Sequence, residues 1–194
     1  LVAQGTYPDW TSALRYAAFN VVSIATTTGF ANTDFNLWPI FAPVWMLFLS
    51  CFCTCSGSTG GGIKMIRARL MFHQALREMT RIVHPRAQVP VKLSGQPVEN
   101  NIIFAVLAFM LMYGGAITVS TMLLTATGLD VISAFSATIA CINNMGPGLN
   151  QVGPATTFAV LSDFQTWVCT ATMLLGRLEL FTLIVVFTPG FWRR

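Results

Sequence analysis

The chain has 194 residues, of which 54% are hydrophobic and 9% charged, with a net charge of +4 and a mean hydropathy of +0.64. Soluble domains carry about 25% charged residues, so this composition excludes a molecule bathed in water on all sides, and with it a soluble enzyme. In a membrane the length allows roughly four to six full or partial traversals of about 20 residues.

The chain starts at Leu1, in a loop-like stretch over residues 4–9 and with no signal peptide in view, and the expectation is a fragment lacking its N-terminal part. Residues 11–26 suit a helix, but one too short and too polar (Arg15, Asn20, Ser23) for a comfortable span. Such stretches are more often re-entrant or core helices. It runs into Thr26-Thr27-Thr28-Gly29-Phe30, poor helix material, and then into a polar turn at Asn32-Thr33-Asp34.

Residues 38–55 are strongly apolar, with Trp38 and Trp45 as expected interface anchors. A glycine-rich strip, Ser56-Gly57-Ser58-Thr59-Gly60-Gly61-Gly62, interrupts them before a helical pattern resumes over 63–82. Each glycine costs a helix about 1 kcal/mol, so the expectation is a broken helix. Residues 84–97 hold Pro85, Pro90, Gly95 and Pro97 and read as a loop.

The clearest span is 102–124, long and uncharged. Another short helix, 131–142, runs into Asn143-Asn144-Met145-Gly146-Pro147-Gly148. Residues 151–163 form a turn-rich return, and 164–187 a last span with Gly176, Arg177 and Glu179 near its middle.

Placing Gly29 on Gly146 reveals an internal repeat: short helix, glycine-containing strip, polar turn, long helix with an oddity halfway down. The glycine-rich break then falls on the segment holding Gly176 and Arg177. Letters barely repeat; the order of parts does. Repeats are common in transport proteins.

Lys64, Arg67, Arg69, Arg77, Arg81, Arg86 and Lys92 follow the broken helix, and Arg193 and Arg194 end the chain. Basic residues at span ends mark the cytoplasmic side, and this reading is preferred to nucleic-acid binding. The aspartates lie near the other ends, so both strips open outward, and 131–142 must enter and leave on one side. A short helix followed by an extended strip is the layout of a selectivity filter, in which backbone carbonyls replace the water of a cation. Glycine permits the angles that turn those carbonyls inward, and irregular backbone at membrane depth is tolerated only where protein or a water-filled cavity surrounds it.

These strips, with Gly57-Ser58-Thr59-Gly60-Gly61-Gly62-Ile63-Lys64 and Gly176-Arg177-Leu178-Glu179, resemble the third and fourth repeats of Trk-type potassium uptake proteins (the Trk/Ktr/HKT superfamily) across essentially the whole chain. The resemblance implies an all-α integral membrane fold of potassium-channel-like helix–pore loop–helix repeats. Residues 1–82 would be the third repeat without its first helix, 83–97 a cytoplasmic linker and 98–194 the fourth repeat. It implies potassium as the transported ion, with Thr27, Thr28, Gly29, Asn144, Met145 and Gly146 in the filter. The intramembrane gate would comprise Thr54, Ser56, Gly57, Ser58, Thr59, Gly60, Gly61, Gly62, Lys64 and Arg177, with the Arg177 charge opposing cation passage.

By the same resemblance the partners are a second copy of the subunit and a cytosolic nucleotide-binding regulatory subunit, and the location is the bacterial cytoplasmic (inner) membrane. The basic stretch 67–92 could meet that regulator or lipid headgroups. Two repeats alone would not close a ring of carbonyls, so the fragment by itself is expected to be inactive. Proton coupling (symport) and passive conduction both stay open. So does a sodium or mixed-cation preference, since the other repeats could differ, and a non-transport membrane protein is a further alternative.

Other chemistry finds no support. The glycine-rich strip is not a phosphate-binding loop, because Ile63 precedes Lys64 and Met65 follows it. The five cysteines lack the pattern of a zinc site and read as packing residues. His73 and His84 read as surface residues, and no catalytic constellation is visible.

Overall fold

The computed structural model describes residues 1–2, 5–55, 57–58, 60–93, 95–177 and 192, and the molecule is mostly helical. Its helices are α1 (Trp10–Ala25), α2 (Phe41–Phe52), α3 (Met65–Val83), α4 (Asn100–Ala126), α5 (Val131–Ile142) and α6 (Asp163–Arg177). The expected last span continues beyond Arg177 into residues outside the described set, where Glu179, Arg193 and Arg194 also fall.

The two short helices start alike. Asp9 caps α1, accepting hydrogen bonds from the Ser12 N–H at 3.2 Å and from the Thr11 hydroxyl. Asp130 caps α5, accepting from the Ser133 N–H at 3.0 Å and from the side-chain amides of Asn150 and Gln151 at 3.1 and 3.0 Å. A carboxylate at this position satisfies orphan N–H groups and meets the positive end of the helix dipole. Both carboxyls are held below their ordinary range, chiefly by the Thr11 hydroxyl for Asp9 and by the Ser133 side chain for Asp130.

Helix α2 is shorter than the apolar run that contains it. A 3₁₀ turn, Phe35–Leu37, and then Pro39 delay its start, and Trp38 is folded inward. Its indole N–H donates to the Tyr7 hydroxyl at 3.1 Å and its ring packs on Phe35, so it is a core residue and not the expected interface anchor; Trp45 is half exposed. The helix stops at Phe52, which leaves Cys53 and Cys55 beyond it and exposed. The resumed helix begins at Met65, later than residue 63, because Gly62 and Lys64 have φ of 87° and 64°, outside helical space.

The stretch expected to be a loop contains a small hairpin, β1 (Lys92–Leu93) with β2 (Gln96–Pro97), pairing Lys92 with Pro97 and Leu93 with Gln96. It brings Val91 onto Leu70 and Ile103, joining the hairpin region to α3 and α4. Beside it Arg77, on α3, is buried and donates to the Asn100 side chain at 3.0 Å.

Helix α4 is long and apolar enough to cross a membrane. At 1.5 Å per residue its 27 residues reach about 40 Å, beyond a hydrocarbon core of about 30 Å. Helix α5 lies at the centre, packed by α4, α6 and α2. Nine of its residues are buried, including Ser133, Ala134, Ser136, Ala137, Ala140 and Cys141. Small side chains let neighbouring helices approach closely where lipid provides no hydrophobic drive. One core cluster joins the two halves of the chain: Ile24, Phe35, Trp38, Met46 and Leu47 from the first meet Ile139, Ala140, Met145 and Leu149 from the second.

Candidate functional site: paired strips above a broken helix

Both short helices end in the same device. The N–H groups of Thr26, Thr27 and Thr28 donate to the carbonyls of Val22, Ile24 and Ser23 at 2.9, 3.1 and 2.8 Å. At the offset that puts Gly29 on Gly146, the N–H groups of Asn143, Asn144 and Met145 donate to Ile139, Cys141 and Ala140 at 3.0, 3.0 and 2.9 Å. The next-to-cap residues, Thr27 and Asn144, are left-handed at φ 56° and 52°. This is a Schellman ending, which usually takes glycine. Asparagine tolerates it, whereas a β-branched threonine there is strained.

The ending sets the polarity of each strip. Its amides turn back to the helix, while among the described residues the carbonyls of 27–29 and 144–146 accept no hydrogen bond. Gly29 and Gly146 follow with φ of 86° and 104° and lie side by side. A Cβ on Gly29 would overlap the Met145 carbonyl oxygen, and one on Gly146 would stand 3.5 Å from Gly29 Cα. Met145 buries its side chain in the shared core, so only its backbone is available at the site. A cavity of about 520 Å³ opens alongside, lined by Gly29, Phe30, Asn144, Gly146 and Pro147 among others.

The broken helix passes directly beneath. The Thr54 hydroxyl donates to the Gly61 carbonyl at 2.8 Å, and the Met65 and Ile63 N–H groups donate to Thr54 at 2.9 Å and Cys51 at 2.8 Å. A Cβ on Gly60 would stand 3.2 Å from the Thr27 hydroxyl; one on Gly61 would overlap the Asn143 carbonyl, and one on Gly176 the Ile142 carbonyl. Close backbone approach requires glycine at 61 and 176, whereas at 60 the crowding comes from the Thr54 and Thr27 side chains.

A second cavity, of about 220 Å³, is lined by Ser58, Gly60, Gly61, Gly62, Lys64 and Arg177, together with Tyr113 and Gly176. The structure thus brings the two expected gate cations to one space. Gly57 is exposed with open space around it, and Ser56 and Thr59 lie outside the described residues.

Sequence reasoning missed a polar cluster at the junction. Asn143 is fully buried; it accepts from the Tyr113 hydroxyl at 2.6 Å and donates from Nδ2 to Ser50 Oγ at 2.9 Å, with Cys51 Sγ at 3.4 Å. Tyr113, a phenol in an uncharged span, was the available signal, since intramembrane polar groups seldom lack a partner.

The TrkH family, described as cation transport protein, matches residues 6–193. The chain belongs to that family. Among TrkH relatives, the Trk system potassium uptake protein of Vibrio parahaemolyticus is 45% identical over 193 residues, 100% of this chain and 39% of the relative. That of Salmonella typhimurium is 44% identical over 187 residues, 96% and 38% respectively. The crystal structure of the potassium transporter TrkH from Vibrio parahaemolyticus matches with a TM-score of 0.90 and 44% identity, over 100% of this chain and 41% of that one. The chain therefore spans about two-fifths of the length of the curated relatives it matches. The resemblance drawn from the strips is borne out at the level of family, and the family is one of potassium-uptake transporters and not of enzymes.

Proposed function

We propose that this TrkH-family chain supplies two of four helix–strip–helix units around one pore, and that the complete protein takes up potassium across the bacterial cytoplasmic membrane. The observation that supports this reading is the meeting of two identically terminated strips at Gly29 and Gly146 whose carbonyls accept no hydrogen bond among the described residues. A dehydrated potassium ion needs oxygen ligands in a ring. Thr27, Thr28, Gly29, Asn144, Met145 and Gly146 each offer one, and the C-terminal ends of α1 and α5 add partial negative charge.

In this reading the glycine-rich segment of 54–62 gates the path from below. Its residues Gly60 and Gly61 lie against Thr27 and Asn143, and Lys64 and Arg177 put positive charge in the cavity a cation would cross. Residues 1–82 and 98–194 would be successive units and 83–97 the linker between them. A second copy of the subunit and a cytosolic nucleotide-binding regulator would complete the assembly, with the basic stretch 67–92 meeting that regulator or lipid headgroups.

Replacing Gly29 or Gly146 by Ser in the complete protein tests the filter. Potassium-over-sodium uptake ratios in liposomes should fall toward unity, and unchanged ratios for both would refute it. Shortening 54–62 should raise conductance in planar bilayers; a channel with parental conductance would contradict the gate.

A further inference from the structure

Asn143 sits where three parts of the molecule meet. It is the C-cap residue of α5 and the first residue of the second strip. Its carboxamide spans from Tyr113 on α4 to Ser50 on α2, one helical turn before the break. Its backbone carbonyl is the atom on which Gly61 of the glycine-rich segment rests. Ser50, whose own hydroxyl hydrogen goes to Leu47 O at 2.6 Å, can accept from Asn143, so the donors and acceptors of the cluster are mutually satisfied.

The corresponding residue of the first strip, Thr26, makes only local bonds: to the Val22 carbonyl at 2.7 Å and to the Thr28 hydroxyl at 2.8 Å. The two strips share a backbone, but only the second is tied by its cap side chain to the broken helix.

We propose that Asn143 is a positioning residue that couples the second strip to the last turn of α2, so that ion selectivity depends on where that turn holds Ser50 and Cys51. This rests on the reading of the strips as a filter. Any displacement of Ser50 pulls on Asn143, whose peptide leads directly into the carbonyls of Asn144, Met145 and Gly146. A fully satisfied buried network transmits such a displacement, since an unpaired partner inside the membrane is costly.

The test uses the complete protein in liposomes, with Tyr113→Phe, Ser50→Ala and Asn143→Asp. Tyr113→Phe deletes one hydroxyl and little else, so a folded variant is secured. Each is expected to lower the potassium-over-sodium uptake ratio by about tenfold, the scale of one lost buried hydrogen bond. The Ser50→Ala/Tyr113→Phe double variant should fall short of the product of the singles, because both act through one side chain. A merely structural cluster would lower the melting temperature and leave the ratio per folded protein untouched. Parental ratios in all three variants, beside an altered ratio in Gly146→Ser, would overturn the coupling and spare the filter. Parental ratios in Gly146→Ser as well would take down both.

Discussion

The first and second strips have the same backbone and opposite supports. Thr26–Gly29 hangs from α1, only four of whose sixteen residues are buried and which packs chiefly on α2, and it is braced by its own hydroxyls. Asn143–Gly146 hangs from α5, buried on nearly every side, and is braced by residues from two other helices. One conformation has thus been reached by two routes: local hydrogen bonding by threonines, and tertiary clasping by an asparagine. The shared part is what carbonyl presentation needs, namely a Schellman ending, a left-handed residue and a glycine two positions on. The unshared part decides which other elements each strip is tied to.

The largest expected contrast is between the two glycines. Gly29→Ala drives a Cβ into the Met145 carbonyl at a φ of 86°, whereas Gly146→Ala meets its nearest atom at 3.5 Å and bears mainly the strain of its φ. Potassium uptake should fall by more than tenfold for the first and by distinctly less for the second. Equal losses would break the asymmetry inferred here.

Next come the glycines of close approach. Gly61→Ala and Gly176→Ala push against the backbone of Asn143 and Ile142, and overpacking of this kind costs about 1–3 kcal/mol. Thermal unfolding in detergent should register the loss in both variants. Gly57→Ala, with open space around it, should leave the midpoint in place.

A smaller effect belongs to the first strip alone. Thr26→Val removes the hydroxyl that ties the strip to Val22 and Thr28 and should cost about 1 kcal/mol. Unlike the Asn143 variants, it should leave the response to changes at Ser50 intact.

The smallest effect is in the helix caps. Asp9 and Asp130 have carboxyls below their ordinary range, so each contributes stability that is present above the unfolded-state value near about 4. That stability is lost as pH falls through the depressed folded-state value. Asp130→Asn should blunt this acid loss more than Asp9→Asn does, because Asp130 also holds Asn150 and Gln151. Denaturation midpoints followed between neutral and strongly acidic pH will rank them.

Much of this was legible in the residues. The short helices fall within a residue or so of their expected limits, because an aspartate opens each and a strip hostile to helix closes it. The pairing of Gly29 with Gly146 was legible too, since both positions demand φ that side chains resist. The direction of Trp38 was not: an apolar aromatic at the head of an apolar run serves lipid or core equally well, and the 3₁₀ turn before it decides. The hairpin at 92–97 hid among prolines that signal loop, although Gly95, at φ 85°, is its turn. The Asn143 clasp was out of reach because Ser50 stands 93 residues away and Tyr113 30; only the packing of α2, α4 and α5 brings them together.

In the proposed pore the carbonyls of the two strips bind the permeating ion together. Anomalous diffraction from crystals of the complete protein grown with rubidium or thallium in place of potassium tests it directly. An ion peak is expected in direct contact with carbonyl oxygens from both the Gly29 and Gly146 strips. Ion density confined to other parts of the molecule, with these carbonyls uncontacted, would contradict it.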